Sequence, residues 1–449
     1  MKKFITKIKE IFSIEELRTK ILNTLLFLLI YRIGTFVILP GIDGAELAGL
    51  QKQTDGILGL VNIFAGGAFG RGAIFALGIM PYISASIVIQ LLGIAVPYFQ
   101  RLQKEGEDGR RKLNQYTRVL TIGITAVQAV GYLYNITGKA DNQAALLFVT
   151  RPEIMSEVSF MIINVFMLVA GTMFTMWLGE RITDKGLGNG ISLIIMVGIV
   201  DRLPEALIYE FGAKSDKLPL LLVELAIWVG VIMSVILLIQ GVRKITVNYA
   251  KRVEGNRQFG GARQYIPLKV NASGVMPIIF AQALMFIPPT IQSSMQTQNS
   301  FLTDLSTYTS FWYNFTFAML IILFTYFYTA IMVNPKQMSD EMKKNGGFIP
   351  GVKPGLDTAN YIDTILSRIT LPGALFLALI AILPSLAQNI FNINSSFAQF
   401  FGGTSLLIMI GVVLDTLQQI ESHLLMRHYD GLMKAGRIKG RSGGVGASI

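Results

Sequence analysis

The sequence predicts an all-α polytopic membrane protein. Hydrophobic residues make up 52% of its 449 residues, charged residues make up only 15%, and the mean hydropathy is +0.53. A chain of this composition places apolar side chains in lipid as well as in a core. Ten runs with little or no charge approach the length of about 20 residues that a bilayer requires. We therefore expect ten transmembrane helices.

The first 20 residues precede these spans and are basic. Apolar residues from Phe4 to Ile14 recur at near-helical spacing, and Arg18 and Lys20 follow them. This pattern is typical of an interfacial helix that lies on the cytoplasmic face and leads into the first span. A cleavable signal peptide is not expected, because no short apolar core with a small-residue cleavage site is found there.

The absence of charge sets the bounds of the predicted spans. The fifth span is short, at 15 residues, and residues 369–414 are uncharged but too long for one span. We therefore expect a break near residues 389–396. The ten predicted spans are residues 21–40, 73–100, 119–137, 158–179, 186–200, 218–242, 270–292, 305–333, 369–386 and 400–419.

Residues 56–100 carry the most informative pattern. A glycine-rich apolar stretch at residues 56–72, here called the glycine segment, precedes the second span and contains Gly66, Gly67, Gly70 and Gly72. Each glycine is about 1 kcal/mol less favourable than alanine in a helix, so helix propensity does not explain them. Non-helical backbone at membrane depth occurs only where protein covers it or where it lines an aqueous cavity. The glycine segment is therefore predicted to be re-entrant and to fold into a pore or cavity.

Charge asymmetry predicts the orientation. With the N-terminus in the cytoplasm, the cytoplasmic segments contain 31 of the 39 Lys and Arg residues, the opposite side contains 7, and Arg32 lies in the first span. Cytoplasmic loops carry an excess of Lys and Arg, so both termini are expected inside, with a basic C-terminal tail. Arg32 is expected to pair with backbone carbonyls or a neighbouring helix end, with a role in gating as the lesser option.

Three predicted cytoplasmic loops are strongly polar, at residues 100–118, 241–271 and 334–368. In the second loop, KITVNYAKR and QYIPLKV flank the glycine-rich stretch GNRQFGGAR, which predicts a β-hairpin. A basic hairpin suits a large anionic partner such as ribosomal RNA or an acidic protein surface. Basic loops also set topology and contact anionic membrane lipids, and loop composition alone favours neither interpretation.

The sequence contains no recognisable catalytic motif. There is no cysteine and no Walker A or H-E-x-x-H motif, and His423 and His428 are not spaced to share a helical face. No metal site, cofactor or enzyme activity is expected. Charge within the spans is sparse, at Arg32, Glu224 and Asp415, whereas ion-coupled transporters place carboxylates or broken polar helices at the midplane.

Several blocks of the sequence together resemble the SecY family. The resemblance covers nearly the whole chain, with no block out of order. It implies the pore subunit of the bacterial protein translocase, with ten helices in two pseudo-symmetric, inverted halves, 1–205 and 206–449, around a central pore. The blocks are FALGIMPYISASIVIQLL (75–92), KEGEDGRRKLNQYTR (104–118), GTMFTMWLGERITDKGLGNGISLII (171–195), VNYAKR (247–252), IPLKVN (266–271), FYTA (327–330), NPK (334–336), GGFIPGVKPG (346–355) and FGGTSLLI (401–408).

The resemblance implies roles for individual positions. The glycine segment would be a plug, isoleucines would form the pore ring, and polar residues would bridge a lateral gate between the second and third spans and the seventh and eighth. Basic loop residues would contact a cytoplasmic motor or a ribosome. The implied residues are Asn62, Ile63, Phe64, Gly66, Gly67 and Phe69 for the plug; Ile79, Ile83, Ile191, Ile195, Ile279 and Ile408 for the pore ring; Ser84, Ser86, Gln128 and Gln282 for the lateral gate; and Lys251, Arg252, Arg257 and Lys353 for the motor or ribosome contact.

Branched aliphatic side chains suit such a constriction. They offer no donors or acceptors to solvate ions, so a narrow apolar neck dewets and blocks small solutes. The same side chains can surround an extended polypeptide of any sequence without binding it. Ile79 and Ile83, like Ile191 and Ile195, are spaced i, i+4, so each pair faces one direction on its helix.

The resemblance also implies partners and a location. The chain would conduct unfolded secretory polypeptides across the bacterial cytoplasmic (inner) membrane and release signal sequences and membrane-protein helices sideways into lipid. It would work with SecE and SecG, driven by the motor ATPase SecA or a translating ribosome. Lys353 departs from the family pattern, which typically has arginine there; lysine keeps the charge but loses the bidentate guanidinium fork.

Two other classes of protein compete with a channel. A small-solute secondary transporter predicts charge at the membrane midplane, of which the sequence offers little. A membrane scaffold or insertase without a pore leaves the glycine segment unexplained.

Overall fold

The computed structural model describes residues 12–42, 62, 65–137, 157–249, 252–254, 257–259, 263–285, 288, 300–391 and 393–434. Within these ranges the chain is mostly helical, with two small β-sheets. The helices are α1 (Glu15–Gly34), α2 (Ala68–Arg71), α3 (Met80–Ala95), α4 (Pro97–Lys104), α5 (Glu107–Thr137), α6 (Glu157–Lys185), α7 (Gly190–Ala213), α8 (Leu218–Gln240), α9 (Met276–Met285), α10 (Ser300–Ser306), α11 (Phe311–Met332), α12 (Pro335–Lys344), α13 (Leu356–Phe391), α14 (Ser395–Ala398) and α15 (Gly403–Lys434). The strands are β1 (Val242–Tyr249), β2 (Arg252–Glu254), β3 (Arg257–Phe259), β4 (Arg263–Lys269) and β5 (Gly347–Phe348).

Every predicted span overlaps a helix, in the order α1, α3, α5, α6, α7, α8, α9, α11, α13 and α15. In the described part of the chain, five helical segments are long and apolar enough to cross a membrane alone, and α3 with α4 adds a sixth if the bent pair is one span. Helices satisfy their own backbone hydrogen bonds, as a hydrocarbon environment requires. The predicted class, an all-α polytopic membrane protein, is confirmed.

The second predicted span differs from the structure. Residues 73–79 form turns, α3 begins only at Met80, and α3 and α4 meet at an angle of 100° at Val96. Val96 is extended, with φ −111° and ψ 121°, because Pro97 disfavours the helical conformation of the residue before it. The prediction of one continuous span over residues 73–100 was therefore wrong.

Two other helices have bounds that differ from the prediction: α7 is longer, whereas α1 has the predicted 20 residues but is shifted toward the N-terminus and ends at Gly34. α1 begins at Glu15, so the end of the expected interfacial helix belongs to the first span, while residues 1–11 lie outside the described ranges. α7 runs to Ala213, well beyond the predicted end of the fifth span at residue 200. The predicted boundary between the halves, at 205/206, falls inside α7, and this helix ends only at Ala213.

The predicted break in the long uncharged stretch is present. α13 ends at Phe391 and α15 begins at Gly403, with the short helix α14 between them. Gly403 has a φ of 67°, a left-handed conformation that glycine adopts without strain. The chain can therefore reverse direction sharply before α15.

The predicted β-hairpin is also present. β1 and β4 pair antiparallel from Val242↔Lys269 to Asn248↔Arg263. β2 and β3 form a second antiparallel pair nearer the tip, with register Val253↔Gln258. Strand β3 therefore lies within the stretch that was predicted as a turn.

The hairpin and the loop at residues 334–368 form one packed body. β5 pairs with the free edge of β1, which gives the strand order β4-β1-β5. A hydrophobic cluster joins the two loops, and its buried members are Ile245, Val247, Leu268, Met342, Ile349, Ile362 and Leu366. The two basic loops thus present a single surface to the cytoplasm in the predicted orientation.

Two larger hydrophobic clusters lie among the apolar helices. The first core cluster joins α1, α3, α5, α6 and α7 with the glycine segment, the turn before α15, and α15 itself. The second core cluster joins α8, α9, α11, α13 and α15. Helix α15 contributes to both clusters and therefore connects them.

Candidate functional site

Hydrogen bonds hold the glycine segment at both ends of its described part. The backbone oxygen of Asn62 accepts from the Gly67 N–H at 2.8 Å, and Asn62 Oδ1 accepts from the Gly70 N–H at 2.9 Å. The hydroxyl of Tyr132 on α5 donates to the backbone oxygen of Phe69 at 2.6 Å, and the two ring centroids lie 4.6 Å apart. Of the predicted plug residues the structure describes Asn62, Gly66, Gly67 and Phe69, whereas Ile63 and Phe64 lie outside the described ranges.

Two glycines of this segment are required by the backbone and by helix α7. Gly66 and Gly67 have φ values of 59° and 80°, in the left-handed region that other residues rarely adopt. A Cβ on Gly66 would approach Gly198 Cα to 3.1 Å, and one on Gly67 would collide with the Arg202 guanidinium. Glycine at both positions allows the segment to lie directly on α7.

Arg32 links the glycine segment to α1 and α7. Its Nη1 donates to the backbone oxygen of Gly66 at 3.2 Å, and its Nη2 forms an ion pair with Asp201. The expected pairing of Arg32 with a backbone carbonyl is therefore present. Asp201 was not predicted as the partner of Arg32 because it follows the predicted end of the fifth span. Charge-assisted bonds of this kind are stronger than neutral ones, so Arg32 is a firm support for the segment.

Further arginines surround the segment. The guanidinium carbons of Arg32 and Arg71 lie 5.0 Å and 4.5 Å from the centroid of the Phe36 ring, within cation–π range. Arg202 pairs with Glu205 at 3.3 Å. Three arginines around the segment thus face two carboxylates, those of Asp201 and Glu205, among the described residues.

Three of the predicted pore-ring isoleucines are buried together with the glycine segment. Ile79, Ile195 and Ile408 are only 3%, 5% and 6% exposed and belong to the first core cluster. Ala65 and Ala68 of the glycine segment are members of the same cluster. Side chains at the start of α3, in α7 and in α15 therefore share one apolar core with the segment.

The other three isoleucines are half-buried. Ile83 and Ile191 pack against the first core cluster, and the Ile83 N–H donates to the Ile79 oxygen at 3.1 Å, which keeps these two on one helical turn. Ile279 on α9 is half-buried but belongs to none of the clusters found in the described residues. The structure thus groups five of the six predicted isoleucines and leaves Ile279 apart.

The predicted lateral-gate residues lie in different surroundings. Ser84 and Ser86 on α3 are half-buried, whereas Gln128 on α5 is exposed. Gln282 on α9 is buried and lines a cavity of about 20 Å³ together with Gln399 and residues of α11, α13 and α15. The cavity has about the volume that one water molecule needs. The structure does not bring these four predicted residues together.

The polar contact between α3 and α11 joins the predicted Ser86 to two residues that the sequence did not point to, Gln90 and Tyr328. The Tyr328 hydroxyl donates to Gln90 Oε1 at 2.7 Å, and Gln90 Nε2 donates to Ser86 Oγ at 3.3 Å. The Tyr328 ring also lies 5.9 Å from that of Phe280 on α9. Gln90 follows Ser86 by one helical turn in an apolar helix. This spacing places both polar side chains on one face and could have pointed to Gln90 from the sequence. Helices α3 and α11 are the second and eighth predicted spans, so the contact crosses the implied lateral gate.

Three of the four predicted basic contact residues lie within the described ranges, on or near the packed body that the two loops form. Lys353 is exposed in a tight turn, where its backbone oxygen accepts from the Thr358 hydroxyl at 2.8 Å. The Ser339 hydroxyl fixes the same turn through the Gly355 oxygen at 2.6 Å. Arg252 and Arg257 lie on β2 and β3 nearer the hairpin tip, and Lys251 lies outside the described ranges.

The fold matches solved structures of protein-conducting channels. A structure of a protein-conducting channel aligns with a TM-score of 0.59, covering 94% of this chain and 95% of that chain at 17% identity. Sec61 in the canine ribosome–channel complex from the endoplasmic reticulum aligns with a TM-score of 0.55, covering 94% of this chain and 95% of that chain at 17% identity. The fold therefore defines the class as a polytopic helical membrane protein with protein-conducting channel architecture.

Sequence comparisons identify the family. The family model for SecY matches residues 73–417. Protein translocase subunit SecY of Aquifex aeolicus (strain VF5) is 43% identical over 430 residues, covering 94% of this chain and 98% of that relative. The same subunit of Thermotoga maritima is 40% identical over 439 residues, covering 96% and 99%. The chain belongs to the SecY family. It is a pore subunit for protein translocation and not an enzyme, and the small-solute transporter is not favoured.

Replacing Gly67 with alanine should loosen the glycine segment. The left-handed conformation costs an L-residue about 1–2 kcal/mol, and the new Cβ collides with Arg202. We expect proteoliposomes that contain Gly67→Ala to leak ions at rest, measured as dissipation of a potassium gradient. Gly123→Ala on α5 is the matched control, because a Cβ there meets nothing within 4 Å. A Gly67→Ala channel that holds the gradient as well as this control would contradict the anchoring role.

Proposed function

We propose that extended polypeptides cross the membrane between the six isoleucines and that the glycine segment closes this route at rest as a plug. The route would run between the halves 1–205 and 206–449. The observation that supports this most is the burial of Ile79, Ile195 and Ile408, from three separate elements, in one core with the glycine segment. An apolar neck filled in this way excludes water and ions, and displacement of the segment would open it.

The same proposal includes a sideways route into lipid for signal sequences and membrane-protein helices. Its support is the contact between α3 and α11, where one hydrogen-bonded chain runs from Tyr328 through Gln90 to Ser86. Hydrogen bonds between membrane helices contribute only about 0.6 kcal/mol on average, so such a seam can separate readily. An apolar helix that enters the seam would replace the weak polar contact with packing against lipid and protein.

We further propose a bacterial cytoplasmic membrane location with both termini inside, on the basis of the charge asymmetry and of the bacterial relatives. The partners would be SecE, SecG, the SecA motor and the ribosome. Two fold neighbours, canine Sec61 and the yeast Ssh1 complex, were solved bound to ribosomes. The exposed Lys353 on a rigid turn, beside the basic hairpin, is suited to ribosomal RNA or an acidic protein surface.

The proposed route can be tested by disulfide cross-linking to a stalled secretory substrate. The chain contains no cysteine, so a cysteine placed at Ile83 or Ile279 is unique. Both positions should cross-link to a cysteine in the stalled substrate. Leu237, which is 70% exposed on the apolar helix α8, should not, and it serves as the control. Export of the substrate without cross-links at either position would place the route elsewhere.

Removing the Tyr328 hydroxyl should ease sideways release. Tyr328→Phe deletes one hydrogen bond of about 0.6 kcal/mol while keeping the ring, so export of substrates with weakly hydrophobic signal sequences should rise about threefold. Tyr326→Phe on the same helix is the matched control, since Tyr326 is 38% exposed. Equal export by both variants would show that the Tyr328–Gln90 contact does not help to hold the gate closed.

Charge reversal on the cytoplasmic body should weaken ribosome binding. The double variant Arg257→Glu and Lys353→Glu should bind purified ribosomes roughly tenfold less tightly. The slope of the logarithm of the binding constant against the logarithm of the salt concentration should fall by about one for each phosphate contact that is lost. Co-sedimentation over a range of salt concentrations measures both quantities. Lys217→Glu reverses one positive charge on the predicted external side, half the charge change of the double variant, and should leave binding unchanged. Unaltered binding by the double variant would exclude this surface as the contact.

A further inference from the structure

A buried ion cluster lies where α7 ends and α8 begins. Lys214 Nζ lies 2.8 Å from Glu210 Oε1 and 2.5 Å from Glu224 Oε1. The side chains of Glu210, Lys214 and Glu224 are only 3%, 11% and 1% exposed. We call these three residues the junction clasp. It was not foreseen from the sequence, where Glu224 stood out only as a charge near the end of a span.

The clasp also binds the turn between α13 and α15. Lys214 Nζ donates to the Phe391 backbone oxygen at 3.3 Å, and the Asn394 N–H donates to Glu210 Oε2 at 3.1 Å. The indole of Trp228, one helical turn beyond Glu224 on α8, donates to the Phe400 oxygen at 2.8 Å. Lys214 therefore ties together the end of α7, the start of α8 and the end of α13, and Glu210 adds the turn that follows α13.

This position matters because the chain passes from one group of helices to the other here. α7 carries Ile195 and supports the glycine segment, whereas Val235 and Leu238 of α8 pack in the second core cluster with α9 and α11. Nearer its start, α8 also packs Leu225, Ile227 and Trp228 against the first core cluster. Between α7 and α8 lie only Lys214 and the short 3₁₀ turn Ser215–Lys217. None of the three clasp residues lies on α3 or α11, the two helices whose contact crosses the seam. The clasp and the seam thus join the two groups of helices at separate places.

We propose that Lys214 is a positioning residue for channel opening: the junction clasp fixes the angle between the two groups of helices in the closed arrangement. A charged group buried among two carboxylates is costly to desolvate and depends on close geometry. A relative rotation of α7 and α8 would stretch these short contacts. The clasp therefore favours the arrangement in which the seam is shut, and its loss shifts the population toward an open seam. This inference rests on the proposed sideways route.

The distance across the seam tests the proposal directly. Spin labels on Val88→Cys in α3 and Phe327→Cys in α11 use exposed positions, 39% and 40% exposed, and leave the Tyr328–Gln90 contact intact. In lipid nanodiscs, Lys214→Met should raise the fraction of molecules at the longer label distance at least about threefold, starting from a minor state of a few per cent. Lys214→Arg keeps the charge and should restore the native distribution, which a merely space-filling role would not require.

A second variant distinguishes loss of the junction clasp from misfolding. Lys214→Met leaves two buried carboxylates unpaired, whereas the triple change Glu210→Gln, Lys214→Met and Glu224→Gln removes every charge and with it the uncompensated burial. This triple variant should fold and still open more often. Glu180→Gln, which breaks the exposed 2.7 Å pair with Arg118 away from the junction, is the control and should leave the label distance unchanged.

The outcomes separate the two proposals. A stalled substrate with a signal sequence should lengthen the label distance in the protein with an intact clasp; no change there would count against the sideways route itself. If the substrate lengthens the distance but a folded triple variant keeps the native distribution, the clasp does not set the closed angle. Lengthening in the Glu180→Gln control to the same extent would also overturn the proposal, because loss of any ion pair would then suffice.

Discussion

Backbone that leaves the helical conformation at membrane depth must find its hydrogen-bond partners within the protein, and the glycine segment is built around this requirement. Its polar groups bond to Asn62 within the segment, to Tyr132 on α5 and to Arg32 on α1. These bonds are possible only because the chain can lie directly on α7, at the close approach of Gly66 to Gly198. Helix α7 is therefore the surface on which the glycine segment lies.

The same helix connects three features that are far apart in function. It carries Ile195 in the apolar core, Asp201 beside the glycine segment and Glu210 in the junction clasp. Pro204 lies inside α7 between Asp201 and Glu210, where it cannot donate a backbone hydrogen bond, so the helix is weakest between the glycine segment and the junction clasp. In the proposed mechanism, displacement of the glycine segment, rearrangement of the isoleucines and rotation at the junction all act on α7.

Charge has two distinct uses in this chain. Arg32 and Lys214 are paired within the helical body, where desolvation makes an unpaired charge costly and so favours one definite geometry. Lys353, by contrast, is exposed on a turn that two side-chain hydrogen bonds hold rigid. An exposed basic group of this kind contributes little to stability but attracts anionic partners over distances near the Debye length.

The sequence by itself determined the class, a helix overlapping each predicted span, the break before α15 and the β-hairpin, because apolar runs, glycines and strand alternation act over a few neighbouring residues. It also carried the Pro97 signal for the bend at Val96, which span counting overlooked. Only the tertiary structure decided which polar side chains meet. Tyr328 and Gln90 are 238 residues apart, and Arg32 meets the carboxylate of Asp201 on α7, just beyond the predicted fifth span. Such pairs depend on how the helices pack, and no local pattern encodes them.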